Sequence, residues 1–225
     1  FLLYIKYMSE EFFKVSAEQL RQPHGDLAIQ VGEKMNEINI HIHHNTFETL
    51  HISTNDSILE IGMGNGFFVK DLFEINPDIT YVGCDFSEKM VEESTKNNAQ
   101  LIADGKVAFH FANAAKLPLH DAAVNKIFTI NTLYFWDNPA DVLRELHRVL
   151  QPKGQLTITI RPKEIMQHYP FVKYGFTLYA KEDVVDLLNN NHFSVINIVE
   201  KNEPDMEVNG EKMPTATLLV TAVKM

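Results

Sequence analysis

The sequence predicts an α/β fold in which helices cover both faces of a mostly parallel sheet. Short apolar runs alternate with helix-like patterns from residue 57 onward, the signature of strand–helix–strand crossovers. The first run, Ser57-Ile58-Leu59-Glu60-Ile61, breaks into three glycines at alternate positions, Gly62, Gly64 and Gly66, before a helical pattern resumes. The last two runs flank an acidic, turn-rich stretch holding Asn209-Gly210, a dipeptide that favours chain reversal.

At 225 residues the chain has room for one sizeable domain with an appendage. The expected division is an N-terminal helical cap, residues 1–50, and an α/β domain, residues 51–225. The 45% hydrophobic and 22% charged fractions are ordinary for a globular protein. No apolar run approaches the roughly 18 residues of a membrane span. A net charge of −10 is unsuited to binding nucleic acid, whose phosphates call for a basic surface. The single cysteine, Cys84, excludes an internal disulfide framework and suits a reducing cytoplasm, the expected location. It sits in an apolar run and reads as inert core. Residues 1–7 show neither a basic n-region nor a small-residue cleavage site. The natural start is therefore expected at Met8, with an added or truncated upstream segment before it.

Helical patterns cover residues 10–20, 27–36 and 46–50, broken by Pro23 and Gly25. His41, His43, His44 and His51 cluster there, but with no Cys partner and no His-Glu-x-x-His helix they read as surface histidines, and no metal is expected. The first strand, 57–61, is followed by a helix reaching Asn76 and stopped by Pro77. The second strand, 80–84, ends at Asp85 and Phe86, with Ser87 as N-cap of a helix over 88–98. A third strand from Val107 leads into a loop with Asn113 and Ala114. The fourth, 126–130, delivers Asn131-Thr132-Leu133-Tyr134-Phe135-Trp136, after which Asn138 and Pro139 cap and open a helix to residue 150. A fifth strand, 156–160, is followed by a segment, 162–179, holding Tyr169, Phe171, Tyr174, Phe176 and Tyr179. Ligands bind beyond the carboxyl ends of strands in such sheets, so this segment is expected as a wall or lid, simple packing being the other reading. A helix over 181–190 and strands over 195–199 and 216–223 complete the chain.

Glycines after a strand tolerate positive φ and let a ligand lie on the backbone, with the next helix's amides facing a negative group. Dinucleotide loops need Gly-x-Gly-x-x-Gly, and here the third glycine comes one residue early, with Phe67 next. The Lys-Ser/Thr of a triphosphate loop is missing too. Glu60-x-Gly-x-Gly-x-Gly instead resembles motif I of the class I S-adenosylmethionine-dependent methyltransferases. The resemblance spans about residues 53–225. It implies a Rossmann-like, seven-stranded, mostly parallel sheet with an antiparallel C-terminal hairpin strand and an N-terminal helical cap. In that family the glycine loop holds the methionine part of the cofactor and the acid faces its ammonium. S-adenosyl-L-methionine is thus the implied cofactor, with Glu60, Gly62, Gly64 and Gly66 around it. Asp85, some twenty residues past the glycines, is placed to take both ribose hydroxyls, with Phe86 beside it. Asn113 and Ala114 stand where the family usually carries Asp-Ala for the adenine. The Asn113 amide oxygen accepts the same bond, an ordinary Asx turn being the alternative. Asn131 leaves the fourth strand toward the same crevice. The resemblance weakens at Lys153, which fills a family glycine's place, and at Tyr134, where related enzymes often have histidine. Residues 19–25, Gln-Leu-Arg-Gln-Pro-His-Gly, also resemble a stretch in bacterial methyltransferases of the ubiquinone/menaquinone-biosynthesis type.

The implied activity is transfer of a methyl group to a small, apolar or aromatic molecule by in-line displacement, in which the protein aligns the acceptor and excludes water. A base is optional; Tyr134, His24 and His168 are the candidates if the acceptor needs deprotonation. Asn131-x-x-Tyr134 superficially resembles the Asn-Pro-Pro-Tyr motif of enzymes that methylate nucleic acid, but both prolines are missing and the charge is negative. Two other classes stay open: a non-catalytic S-adenosylmethionine-binding regulator, which keeps every cofactor residue, and an NAD-linked oxidoreductase, against which the misplaced glycine stands.

Overall fold

The structure is a computed structural model that describes residues 9–208 and 211–225. The expectations placed on residues 1–8 and on the Asn209-Gly210 reversal lie outside the described residues. The strands are β1 (Ser57–Ile61), β2 (Thr80–Asp85), β3 (Val107–Phe111), β4 (Val124–Ile130), β5 (Leu150–Ile160), β6 (Phe193–Val208) and β7 (Glu211–Lys224). They form one seven-stranded sheet in the order β3-β2-β1-β4-β5-β7-β6. The first five pair in parallel, and β7 runs antiparallel to both β5 and β6. This is the architecture the sequence predicts.

The helices are α1 (Glu10–Arg21), α2 (Ala28–Ile38), α3 (Ile40–Leu50), α4 (Val69–Ile75), α5 (Glu88–Asn97), α6 (Ala99–Ala103), α7 (Pro139–Val149), α8 (Lys163–Met166) and α9 (Lys181–Asn189). Both faces of β1 are buried. Ile58 packs into one core layer with Phe47, Tyr81 and Phe128, and Leu59 and Ile61 into the other with Ile127, Leu143 and Leu146. A strand covered on both faces must be apolar throughout, which is why β1 reads as a continuous run. No helix among the described residues is long and apolar enough to cross a membrane.

Several elements depart from expectation. α3 begins at Ile40 rather than residue 46, and its buried Ile42, Thr46, Phe47 and Leu50 seat it on the sheet. Thr46 Oγ1 lies 3.1 Å from Thr159 Oγ1 of β5, and the Phe47 ring meets Phe128 of β4 edge-on at 5.9 Å. α3 is thus a layer of the sheet, and α1 and α2 are the helices that roof the strand ends. β5 begins at Leu150, with a register shift between Val124 and Lys126 of its partner. Lys153, in the place of a family glycine, holds φ at +63° there, in the left-handed region. β6 runs to Val208 rather than residue 199 and β7 begins at Glu211 rather than 216; this end of the hairpin is charged and bulged, which hides its strand pattern in the sequence. The register shift between Glu203 and Met206 absorbs Pro204, which an edge strand tolerates.

Candidate active site

A cavity of about 490 Å³ opens at the carboxyl ends of the central strands, where the strand order reverses between β1 and β4. Such switch points are where ligands enter doubly wound sheets, and the volume falls in the roughly 300–1,000 Å³ range of small-molecule pockets. Gln19 and Arg21 of α1 and Met35 of α2 border it from above.

All three glycines of the β1 exit have left-handed φ, +76°, +58° and +66° for Gly62, Gly64 and Gly66. Each needs to be glycine for a different reason. A Cβ on Gly62 would run into the Thr132 methyl group. One on Gly64 would meet nothing, since it would stand in open space beside the cavity. One on Gly66 would lie 2.8 Å from Ser94 Cβ and from Asn98 Nδ2, so this glycine lets α5 approach the loop. Gly62 and Gly64 border the cavity; Gly66 stands behind it.

Asp85 closes β2 at the cavity wall. Its Oδ2 accepts from Gly64 N–H at 2.9 Å and its Oδ1 from Ser87 N–H at 2.8 Å, joining the glycine loop to the start of α5. Ser87 fulfils its expected capping role, accepting from Met90 N–H at 3.2 Å. Burial pushes the Asp85 carboxyl up to about 6, against the pull of these amide bonds. Phe86 stands on the rim, 44% exposed. Cys84, buried behind them, has its thiol pushed up to about 12 by burial.

Glu60 does not border the cavity. Alternation along β1 turns it with Ile58 into the sheet layer, where its Oε2 accepts the Tyr81 hydroxyl at 2.5 Å. Burial pushes its carboxyl up to about 8, the nearby Asp85 charge adding to the rise. Between its usual 4.5 and about 8, the folded chain holds a proton that the unfolded chain has released, so stability is lost as pH rises through that window. Glu60→Gln, which cannot ionise, is expected to melt higher than the parent at pH 8 by at least about 2–4 °C, equivalent to roughly 1 kcal/mol in a chain this size. At pH 5 the two should melt nearly together, and an equal gap at both pH values would contradict this.

Asn113 and Ala114 border the cavity at the β3 exit. Asn113 Oδ1 accepts from Ala115 N–H at 2.9 Å, the Asx turn, and its amide oxygen keeps a second lone pair. Asn131 leaves β4 with φ at +57°, a conformation asparagine tolerates better than most residues, and also borders the cavity.

Comparison with known proteins identifies the family. A profile described as a methyltransferase domain matches residues 52–203. The chain is a methyltransferase. The Bacillus subtilis protein YrhH, named as a methyltransferase, is 27% identical over 160 residues, covering 71% of this chain and 81% of that one. The 27-O-demethylrifamycin SV methyltransferase of Amycolatopsis mediterranei is 31% identical over 109 residues, 48% of this chain but 40% of that longer enzyme. In fold, the chain resembles an S-adenosylmethionine-dependent methyltransferase from Aquifex aeolicus with a TM-score of 0.68 and 20% identity, over 86% of this chain and 98% of the other. The enzyme thus belongs to the class I methyltransferases and takes S-adenosylmethionine as methyl donor.

The methyltransferase's three sequence-predicted bases are not brought together. Tyr134 borders the cavity, but its hydroxyl is held by the Arg161 backbone, accepting from N–H at 2.7 Å and donating to C=O at 2.8 Å. Burial raises its pKa well above the usual tyrosine value. His24 and His168 are exposed and outside the cavity. The histidine on the cavity wall is His43 of α3, whose place in the sequence is within an apparent surface cluster. Its ring stacks on Phe68 with centroids 3.8 Å apart, and Nδ1–H donates to the Asn39 carbonyl at 2.8 Å. Burial pulls it down to about 4, so at neutral pH it is an uncharged ring with Nε2 free to accept. The available signal was its spacing from Asn39 and Phe47, four residues on either side. Among the described residues no three His, Cys, Asp or Glu side chains converge as a metal site.

Proposed function

We propose that this methyltransferase modifies a small, apolar or aromatic molecule held between the donor and an aromatic wall. The continuity of one cavity from the glycine loop to that wall carries the reading. On the loop side stand Gly62, Gly64 and Asp85. On the other, Phe176 meets Phe135 edge-on at 4.5 Å and Phe171 at 5.5 Å, and Phe171 stacks on Tyr169 at 5.4 Å. The segment over 162–179 thus supplies three of its five predicted aromatics to the cavity. A relative named for methylating 27-O-demethylrifamycin SV is consistent with a small acceptor.

The residues present fit the donor. Left-handed glycines leave room at Gly64, and Asp85 offers lone pairs beyond its two amide bonds for a ribose. Asn113 and Ala114 take the adenine, with Phe86 beside it, and Asn131, counted with the donor's residues, borders the same cavity. Glu60, expected to face the ammonium, is turned onto Tyr81 behind the loop and holds no part of the donor in this reading, while Gly66 keeps the loop against α5. When bound, the sulfonium supplies an activated methyl group. The chain's own work is alignment and exclusion of water. Of the 1–50 segment expected as a cap, α1 and α2 serve that purpose in this reading, and α3 belongs to the sheet's own layer. Arg21 pairs with Asp137 at 2.8 Å, Gln22 Nε2 donates to the Phe86 carbonyl at 2.8 Å, and Ser87 Oγ donates to the Pro23 carbonyl at 2.5 Å. These contacts draw the stretch over 19–25, likened above to quinol-modifying enzymes, down over Asp85.

Calorimetry checks the reading. S-adenosylhomocysteine is expected to bind one-to-one and NAD not at all; NAD binding in its place would overturn it. A panel of phenols, amines, quinols and carboxylic acids then tests the acceptor: S-adenosylhomocysteine should form with at least one of them, and formation with none would overturn the small-acceptor reading.

A further inference from the structure

Two strands over from β1, the cavity ends in a polar group of a different kind. Arg161, the residue that follows β5, is 5% exposed, and its Nη1 donates to Glu203 Oε2 of β6 at 3.0 Å, with the Glu203 side chain 3% exposed. Glu203 also accepts the Thr217 hydroxyl, and Arg161 Nη2 lies 3.4 Å from the Ile38 carbonyl. Tyr169 stands beside them on the cavity wall, 3% exposed, and its hydroxyl has no hydrogen-bond partner among the described residues.

A hydroxyl shut away from water and left unpaired is an uncompensated cost, recovered when a ligand brings a polar atom to it. The charge balance says what kind of atom. Arg161 is already neutralised by Glu203 and both are out of water, so a carboxylate placed here would leave an excess negative charge in a low-dielectric pocket. A neutral oxygen adds no charge, accepts from the Tyr169 hydroxyl and from unused guanidinium N–H groups, and satisfies the wall.

We propose that the acceptor carries a neutral carbonyl or hydroxyl group distal to the methylated atom, and that Tyr169 with Arg161 selects for it. This rests on the small-molecule reading above. Tyr169 is here a specificity-determining residue, and the apolar body of the acceptor lies along Phe171 and Phe176.

The test uses the full chain saturated with S-adenosylhomocysteine and four probes on one skeleton: 2-naphthol, 6-hydroxy-2-naphthaldehyde, 2,6-dihydroxynaphthalene and 6-hydroxy-2-naphthoic acid. The aldehyde and the diol are expected to bind about fivefold or more tighter than 2-naphthol, as one recovered hydrogen bond allows, and the acid more weakly than 2-naphthol. In Tyr169→Phe the advantage of the aldehyde and diol over 2-naphthol should shrink to about twofold or less, with affinity for S-adenosylhomocysteine unchanged. The inference is overturned if the acid binds best, if Tyr169→Phe keeps the preference, or if none of the four binds. Should Tyr169→Phe not fold, the ranking on the parent chain still decides. Failure of S-adenosylhomocysteine to bind the parent would instead overturn the placement of the donor; retained binding with no ranking among the probes overturns this inference alone.

Discussion

Asp85→Ala is expected to lower the affinity for S-adenosylhomocysteine by about 100-fold or more. Hydrogen bonds to a charged group contribute roughly 1.5–3 kcal/mol each, and a ribose diol makes two of them. The substitution also releases the Gly64 and Ser87 amides, which the carboxylate ties together across the cavity wall. Asp85→Asn, which keeps an oxygen for one of these amides, should fall between the two. Because burial sets the ligand-free carboxyl at about 6, it is protonated at pH 5, and the parent chain should itself bind more weakly there than at pH 7.5. Calorimetry at both pH values reads each effect. A loss under tenfold at pH 7.5 would mean that Asp85 does not hold the ribose.

The second large effect belongs to Gly66. An alanine there must adopt left-handed φ, at about 1–2 kcal/mol, and must also press its methyl on Ser94 and Asn98, an overpacking that costs about 1–3 kcal/mol more. Gly66→Ala should therefore melt about 5–15 °C below the parent, at roughly 2–4 °C per kcal/mol for a chain of this size. Gly64→Ala bears the backbone strain alone and leaves most stability in place, but its methyl occupies space a ligand needs. The two variants should fail differently: Gly66→Ala in thermal melts, Gly64→Ala in S-adenosylhomocysteine titration. A lower melting temperature for Gly64→Ala than for Gly66→Ala would reverse the roles assigned to them.

What could be read from the chain was local. The step from Ile61 through the glycines to a helix, the acid closing β2 and the Ser87 cap are set by backbone demands that neighbouring residues meet, so their sequence pattern is sufficient. Side-chain direction was harder. An acid two residues before a glycine loop looks aimed at the ligand, yet strand alternation turns Glu60 toward Tyr81. Elements whose burial depends on distant partners were shortened or missed. The distal half of β6 looks like a solvated charged loop until Arg161 is brought against Glu203, residues 42 positions apart in sequence. His43 looks like one of a surface cluster until α3 lies on the sheet and Phe68 stacks on the imidazole. Tyr169 counts as one aromatic among five until its hydroxyl is found without a partner.

The Ser87 hydroxyl serves two masters at once: its lone pair stops the end of α5 from fraying, while its proton reaches out to Pro23. Swinging residues 22–24 away breaks the outward bond and leaves the inward one untouched. Two fastenings remain: the exposed Gln22 amide on the Phe86 carbonyl, and Arg21 with Asp137, a solvent-washed pair of the kind worth about 1 kcal/mol at most. If the nucleoside lies beside Asp85 as proposed, the doorway over it is cheap to unlatch, and departure of product need not disturb the helix that frames it.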